Sequence, residues 1–349
     1  MSTSLGLLGH RLINFPSALT ASCTSLALGS TMATQSPSPS SAPRQAAAAH
    51  DQHQHRGRPF SIAGTMLFAG TFGLTAMSLF QLLSMRAFLA LLFGGRPGRA
   101  GDYIREFLRS AGGRAHLEAT LSAAEVADRA AMARDWRYGV LCALFGVVSA
   151  GLPEEVLKYL PAAAVQWWRG RKAAAPAGEV MSPLEFVNYT VAAGIGFAIF
   201  ENVGVVYGSV SGGNSTAEIA LLLAERTLSA LPGHVLCAAL SGIRGASSSA
   251  RRRRSGKGGG MATELVDMLS AILPSVLYHG VFDAALLGVS ALCGHPGWVR
   301  PADPWVLAGA YGMVVALQGS LALNVRAVWR QETQALEGTG RSDSSKKEA

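Results

Sequence analysis

Charge is scarce in this chain: Asp, Glu, Lys and Arg make up 15% of its 349 residues, against about 25% in a typical globular protein. A soluble domain of this length needs a charged outer face, and there is too little charge here to cover one. Cysteine is scarce too. Cys23, Cys142, Cys237 and Cys293 form no C-x-x-C pair, and three of them lie in apolar stretches. That excludes a disulfide framework and zinc-finger spacing and predicts buried thiols. Acidic residues are absent before Asp51. What is present is apolar: 49% hydrophobic residues, 40 glycines and a mean hydropathy of +0.27. Disorder is therefore excluded for most of the chain, and one polytopic membrane domain is favoured over two soluble ones.

Residues 1–58 are rich in Ser, Thr, Ala, Pro and Gln. The run from Ser36 to Pro43 cannot pack a core, so a disordered low-complexity region is predicted. Its acid-free start with Arg11 and Arg44 has some transit-peptide character, but a plain disordered tail is the simpler reading. His50, His53 and His55 read as solvated low complexity rather than a metal site. Residues 59–137 are expected to hold a first span and a polar amphipathic connector. No charge interrupts residues 61–85, which exceeds the ~20 residues needed to cross hydrocarbon. Ala87–Phe93, after Arg86, is too short to span alone; it either extends the first helix, lies at the interface or forms a re-entrant turn. The connector, residues 96–137, has Leu108, Leu117, Leu121, Val126 and Met132 as apolar points.

Further apolar stretches at 138–166, 187–209, 218–243, 264–292 and 304–325 are each long enough to span. The predicted fold is all-α, a polytopic transmembrane bundle of about six spans. Its core covers 138–328, with a basic disordered loop at 244–260 and a polar tail at 329–349. Basic clusters follow the second, fourth and sixth spans: Arg169, Arg171 and Lys172; Arg244, Arg251–Arg254 and Lys257; Arg326, Arg330, Arg341, Lys346 and Lys347. Alternating spans put all three on one side, which the positive-inside rule makes cytosolic or its organellar equivalent. The arginine run is thereby explained as a topology determinant. Residues 244–257 suit anionic lipid. Nucleic acid is disfavoured, because residues 244–260 carry no aromatics between the arginines.

Ionisable groups inside spans cost about 2.5–3.5 kcal/mol each on insertion scales, so those that persist are informative. The chain keeps Glu154, Glu155 and Lys158 in the second span, Glu201 with Asn202 in the third, Glu225, Arg226 and His234 in the fourth, and Asp267, His279 and Asp283 in the fifth. Lys158 is one turn from both Glu154 and Glu155 and can pair with either. His279 and Asp283 share a face four residues apart, so the carboxylate can orient the imidazole or share a metal with it. Adjacent carboxylates would be doubly costly as interhelical glue, which points Glu154 and Glu155 to function. Glu225 and Arg226 read as a boundary pair near a span start. Asp267 reads as solvated, Tyr207 as an interfacial belt residue, and Asn202 alone as interhelical glue. Gly151-Leu152-Pro153 before the glutamates and Pro161 after them predict a broken or kinked helix.

Four motifs resemble those of the PrsW-type intramembrane proteases, relatives of the CAAX prenyl proteases and bacteriocin-processing enzymes. They are Pro153-Glu154-Glu155-Val156-Leu157-Lys158, Phe197-Ala198-Ile199-Phe200-Glu201-Asn202, Pro232-Gly233-His234 with Gly242 eight residues on, and His279-Gly280-Val281-Phe282-Asp283. They occur in the family's order, one per span, across residues 138–292. One departure is visible: Val205 stands where the second motif usually carries a tyrosine, and the nearest tyrosine is Tyr207.

The resemblance implies hydrolysis of a peptide bond in a membrane-associated protein substrate. It implies Glu154 as the base that activates water, assisted by His234 or His279, with Glu155 paired to Lys158 and Asp283 orienting His279. Asn202 is then a donor to the oxyanion or the substrate backbone, and Glu201 a further ligand or base. Glu154, Glu201, His234, His279 and Asp283 are suitable zinc ligands in type, yet no H-E-x-x-H pair is present. Metal-dependent and metal-free glutamate mechanisms both stay open, with zinc the expected metal in the first. The alternative from another class is a transporter or proton relay that uses the buried acids as a path.

Overall fold

The computed structural model describes residues 61–95, 97–110, 121–171, 181–255 and 260–345. The helices, in chain order, are α1 (Ile62–Phe93), α2 (Pro97–Ser110), α3 (Ala123–Arg134), α4 (Trp136–Gly170), α5 (Pro183–Ser211), α6 (Thr216–Ser255), α7 (Met261–Leu292) and α8 (Pro304–Ser345). There is no strand among the described residues. All but α2 and α3 are long and apolar enough to cross a membrane, which makes six such helices among the described residues. The protein is an all-α, multi-pass integral membrane protein. Residues 1–58, with Cys23 and the His50, His53 and His55 cluster, lie outside the described residues, as do Leu117, Lys172, Lys257, Lys346 and Lys347.

The short apolar piece Ala87–Phe93 continues α1. Arg86 is exposed and does not interrupt the helix, because a long cationic side chain can carry its charge away from the apolar face. In α4 the Gly151-Leu152-Pro153 segment does not break the helix. Residues Phe145–Gly151 instead form a π-helical turn, in which the Leu152 N–H reaches Val147 O. The wider turn accommodates Pro153, which has no N–H to give, and delivers Glu154 and Glu155 directly after it.

Small residues let the backbones around this turn approach closely. A Cβ on Gly280 of α7 would lie 2.7 Å from Val147 Cα, and one on Gly151 would lie 2.9 Å from Val276 O. Glycine at these points brings α7, and with it His279, against the start of the α4 glutamate motif. Gly194 of α5 does the same for α6: a Cβ there would lie 2.7 Å from Ala238 Cβ and 3.0 Å from His234 O.

The connector is anchored, not loose. Ser122 and Glu125 form a capping box at the start of α3. The Tyr103 hydroxyl of α2 donates to Met132 O at 2.8 Å, and burial pushes this phenol above its usual range, so it stays a donor. Glu106 and Arg129 pair at 2.9 Å. Tyr103 stacks on Tyr138, whose hydroxyl oxygen accepts from Gly297 N at 2.6 Å. These aromatics join Met85, Leu89, Phe93, Met132 and Leu287 in one buried cluster. Val126, by contrast, is exposed.

The basic segment expected to be a disordered loop over 244–260 is helical through Ser255 as the end of α6. Arginine is a good helix former, and its partners come from neighbouring helix ends. Arg251 meets Glu332 of α8 at 3.2 Å. Arg252 meets Glu264 of α7 at 3.5 Å and also pairs with Asp267. Asp267 is thus an ion-pair partner rather than merely solvated. The sequence spacing shows charge at a span end, but not that three helix ends converge there. The C-terminal tail likewise begins as a continuation of α8.

Candidate active site

Lys158 is the centre of the buried polar network. Its ammonium lies 2.7 Å from Glu155 Oε1, 3.5 Å from Glu154 Oε2 and 2.9 Å from His234 Nδ1, and 5.1 Å from the Phe197 ring centroid. Both Glu155 and Lys158 have no exposed surface. An ammonium can only donate, so Nδ1 of His234 accepts and the ring proton sits on Nε2. That Nε2–H donates to Glu201 Oε2 at 2.9 Å.

His279 comes to the same centre from α7. Its Nδ1 lies 3.1 Å from Glu155 Oε1. A carboxylate accepts, which places the His279 proton on Nδ1 and leaves Nε2 facing Glu154 Oε2 at 3.4 Å and Asp283 Oδ2 at 3.6 Å. The His234 and His279 rings meet edge-on, with centroids 5.2 Å apart.

The network ends on a residue that the sequence spacing does not single out. Arg226 Nη2 lies 2.7 Å from Glu201 Oε2, and its Nε donates to Asn202 Oδ1 at 2.8 Å. Read from the sequence as a boundary pair, Glu225 and Arg226 in fact separate: Glu225 meets Arg300 at 3.2 Å, while Arg226 joins the site. An arginine inside an otherwise apolar run was the available signal.

A cavity of about 370 Å³ lies beside these groups. Glu154, Glu201, Arg226, His234, His279 and Asp283 line it; Glu155, Lys158 and Asn202 do not. Val205, at the position of the missing tyrosine, is also on its wall. Tyr207 is exposed, as a belt residue would be. Trp298 in the α7–α8 loop also lines the cavity.

The donor set suits a cation. Glu154, His234 and His279 each offer a ligand atom, all within 4.8 Å of one another. Glu155 behind His279 is the outer carboxylate that metal-binding imidazoles commonly use. Charge points the same way: four carboxylates, on Glu154, Glu155, Glu201 and Asp283, face two permanent cations, Lys158 and Arg226. A divalent ion would offset the excess. Engaging His234 would require its ring to give up Lys158 or Glu201.

Buried acids and imidazoles around a cavity, inside a bundle of membrane-spanning helices, are an arrangement that a membrane-embedded enzyme can use. The family model of the PrsW family intramembrane metalloproteases matches residues 115–329. That is more than half of the chain, and the chain belongs to this family. It is a membrane-embedded protease, which sets aside the transporter and proton-relay reading. No curated protein and no solved structure matches it.

Proposed function

We propose that the protein cuts a peptide bond of a membrane protein by activating water on Glu154. The observation that carries this reading is the divergence of two neighbours: Glu154 lines the cavity and Glu155 does not. Adjacent helical residues point about 100° apart, so one carboxylate can serve the substrate while the other holds the frame. Glu154 takes a proton from water as the oxygen bonds to the peptide carbonyl carbon. When the carbon–nitrogen bond breaks, the proton returns to the leaving amine. His279, with Nε2 toward Glu154, stands near that proton path. Glu155 and Lys158 position His279 and His234, and Asp283 orients His279.

Zinc is the metal we assign to Glu154, His234 and His279, with Glu201 and Asp283 as neighbouring carboxylates. Such an ion supplies Lewis-acid polarisation of the carbonyl and a more acidic water. The basic end of α6, where Arg251 and Arg253 are exposed, is the surface we assign to anionic lipid headgroups.

Substrate trapping tests the reading. Glu154→Ala protein should retain a membrane protein that wild type cleaves when the two are reconstituted in vesicles. Failure of wild type to cut the retained protein would contradict the proposal.

A further inference from the structure

Arg226 is the only lysine or arginine on the cavity wall among the described residues, and it is not used up by its two partners. The guanidinium carries five N–H donors. Nε serves Asn202 Oδ1, and Nη2 serves Glu201 Oε2. Nη1 makes no hydrogen bond to another described residue. About a quarter of the side chain is exposed, and the residue lines the cavity.

The wall also carries uncharged donors on Gln81, Tyr278 and Trp298, and some of the remaining donors are committed. Gln318 donates to Ser229 O, and Ser229 donates to Glu225 O. Asn202, which the resemblance offered as a donor to the oxyanion or the substrate backbone, is off the wall, and its carbonyl oxygen is held by Arg226. Hydrolysis moves the carbonyl π pair onto oxygen, and a donor must meet that charge in a site otherwise lined with carboxylates.

We infer that Arg226 is the oxyanion donor of this protease, with Asn202 and Glu201 holding its guanidinium plane in place. In this step the water oxygen bonds to the carbonyl carbon, its proton goes to Glu154, and the electron pair goes to the carbonyl oxygen against the free N–H groups of Arg226. Collapse of that oxyanion expels the amine, which takes the proton from Glu154. The inference rests on Glu154 as the base. It assigns Arg226 direct contact with the reacting oxygen rather than action through Glu201 and His234.

The test compares wild type, Arg226→Lys, Arg226→Ala and Glu154→Gln in detergent. The probes are a quenched-fluorescence peptide spanning a bond that wild type cleaves, and the phosphinic analogue of that peptide, whose tetrahedral oxygen mimics the oxyanion. Arg226→Ala should lower kcat by about 10²–10³-fold with little change in KM. It should weaken phosphinic-peptide binding by a similar factor while leaving the affinity for the uncleaved peptide within a few-fold. Free guanidinium should restore kcat to Arg226→Ala, and Arg226→Lys should fall between wild type and Arg226→Ala. Equal loss of affinity for both peptides, or an unchanged kcat, would overturn the assignment. So would a kcat loss with unchanged phosphinic-peptide binding, which marks a residue acting only through His234. A thermal midpoint for each variant identifies unfolding; if Arg226→Ala unfolds, Arg226→Lys is read by the same criteria. Wild-type cleavage by Glu154→Gln would instead overturn the base assignment beneath it.

Discussion

Glu155 and His279 stand 124 residues apart in the chain, yet Glu155 Oε1 lies 3.1 Å from His279 Nδ1. The same oxygen lies 2.7 Å from the Lys158 ammonium. One carboxylate oxygen therefore fixes both the imidazole that faces Glu154 and the cation that fixes His234. The contact depends on the close approach of α4 and α7 at Gly151 and Gly280.

Glu155→Gln should cost stability as well as activity. It leaves Lys158 buried without its nearest counter-charge, a loss of about 3–5 kcal/mol for a broken buried pair. Thermal unfolding in detergent should show a clearly lower midpoint than for Glu154→Gln. Equal midpoints for the two variants would mean that the frame does not rest on Glu155.

Gly280→Ala tests the helix approach. The added methyl would meet Val147 Cα at 2.7 Å, closer than packing allows. Overpacking of this kind typically costs about 1–3 kcal/mol, and the shift of α7 should carry His279 away from Glu155. Cleavage should fall by at least about tenfold if the shift reaches 1 Å, since misplacement of that size costs up to about 10²-fold. Wild-type activity in a stable Gly280→Ala protein would show that α7 is free to move without consequence.

The metal assignment predicts about one zinc per chain by elemental analysis of purified protein. His279→Ala and Glu154→Ala should each lose it, because each removes one of the three converging ligands. Exhaustive chelation should abolish cleavage, and zinc should restore it. Full activity in protein shown to be metal-free would leave the glutamate mechanism without an ion.

Topology is testable at the helix ends. Arg253 and Gln331 both sit near the basic ends of their spans, so cysteines placed there should be labelled from one side, the cytosolic side or its organellar equivalent. A cysteine at Asp303, before α8, should be labelled from the other. Labelling of Arg253→Cys and Gln331→Cys from opposite sides would break the six-span arrangement.

Much of this site was legible because ionisable residues are conspicuous in apolar runs. Glu154, Glu155, Lys158, His279 and Asp283 stand out by cost and by helical spacing, and the structure brings them together. The spans are legible for the same reason, although their ends extend beyond the apolar stretches. What the sequence hides depends on how helices cross. Arg226 and Asn202 are 24 residues apart on different spans, so their pairing has no local signature. The same holds for Arg251 and Glu332, 81 residues apart, whose pairing helps to hold a basic segment in a helix where composition alone suggested a loop. The π turn before Glu154 was visible only as a glycine and proline that promised some disturbance, since a kink and a widened turn draw on the same residues.

The most direct test of the account is single-turnover cleavage by Glu154→Gln beside wild type, with folding and membrane insertion checked in the same preparation. Glutamine keeps the size of the side chain and removes its basicity. The account predicts a folded, inserted protein that binds substrate and leaves the peptide bond intact. Cleavage at the wild-type rate would contradict it, and the water-activating group would have to be sought elsewhere on the cavity wall.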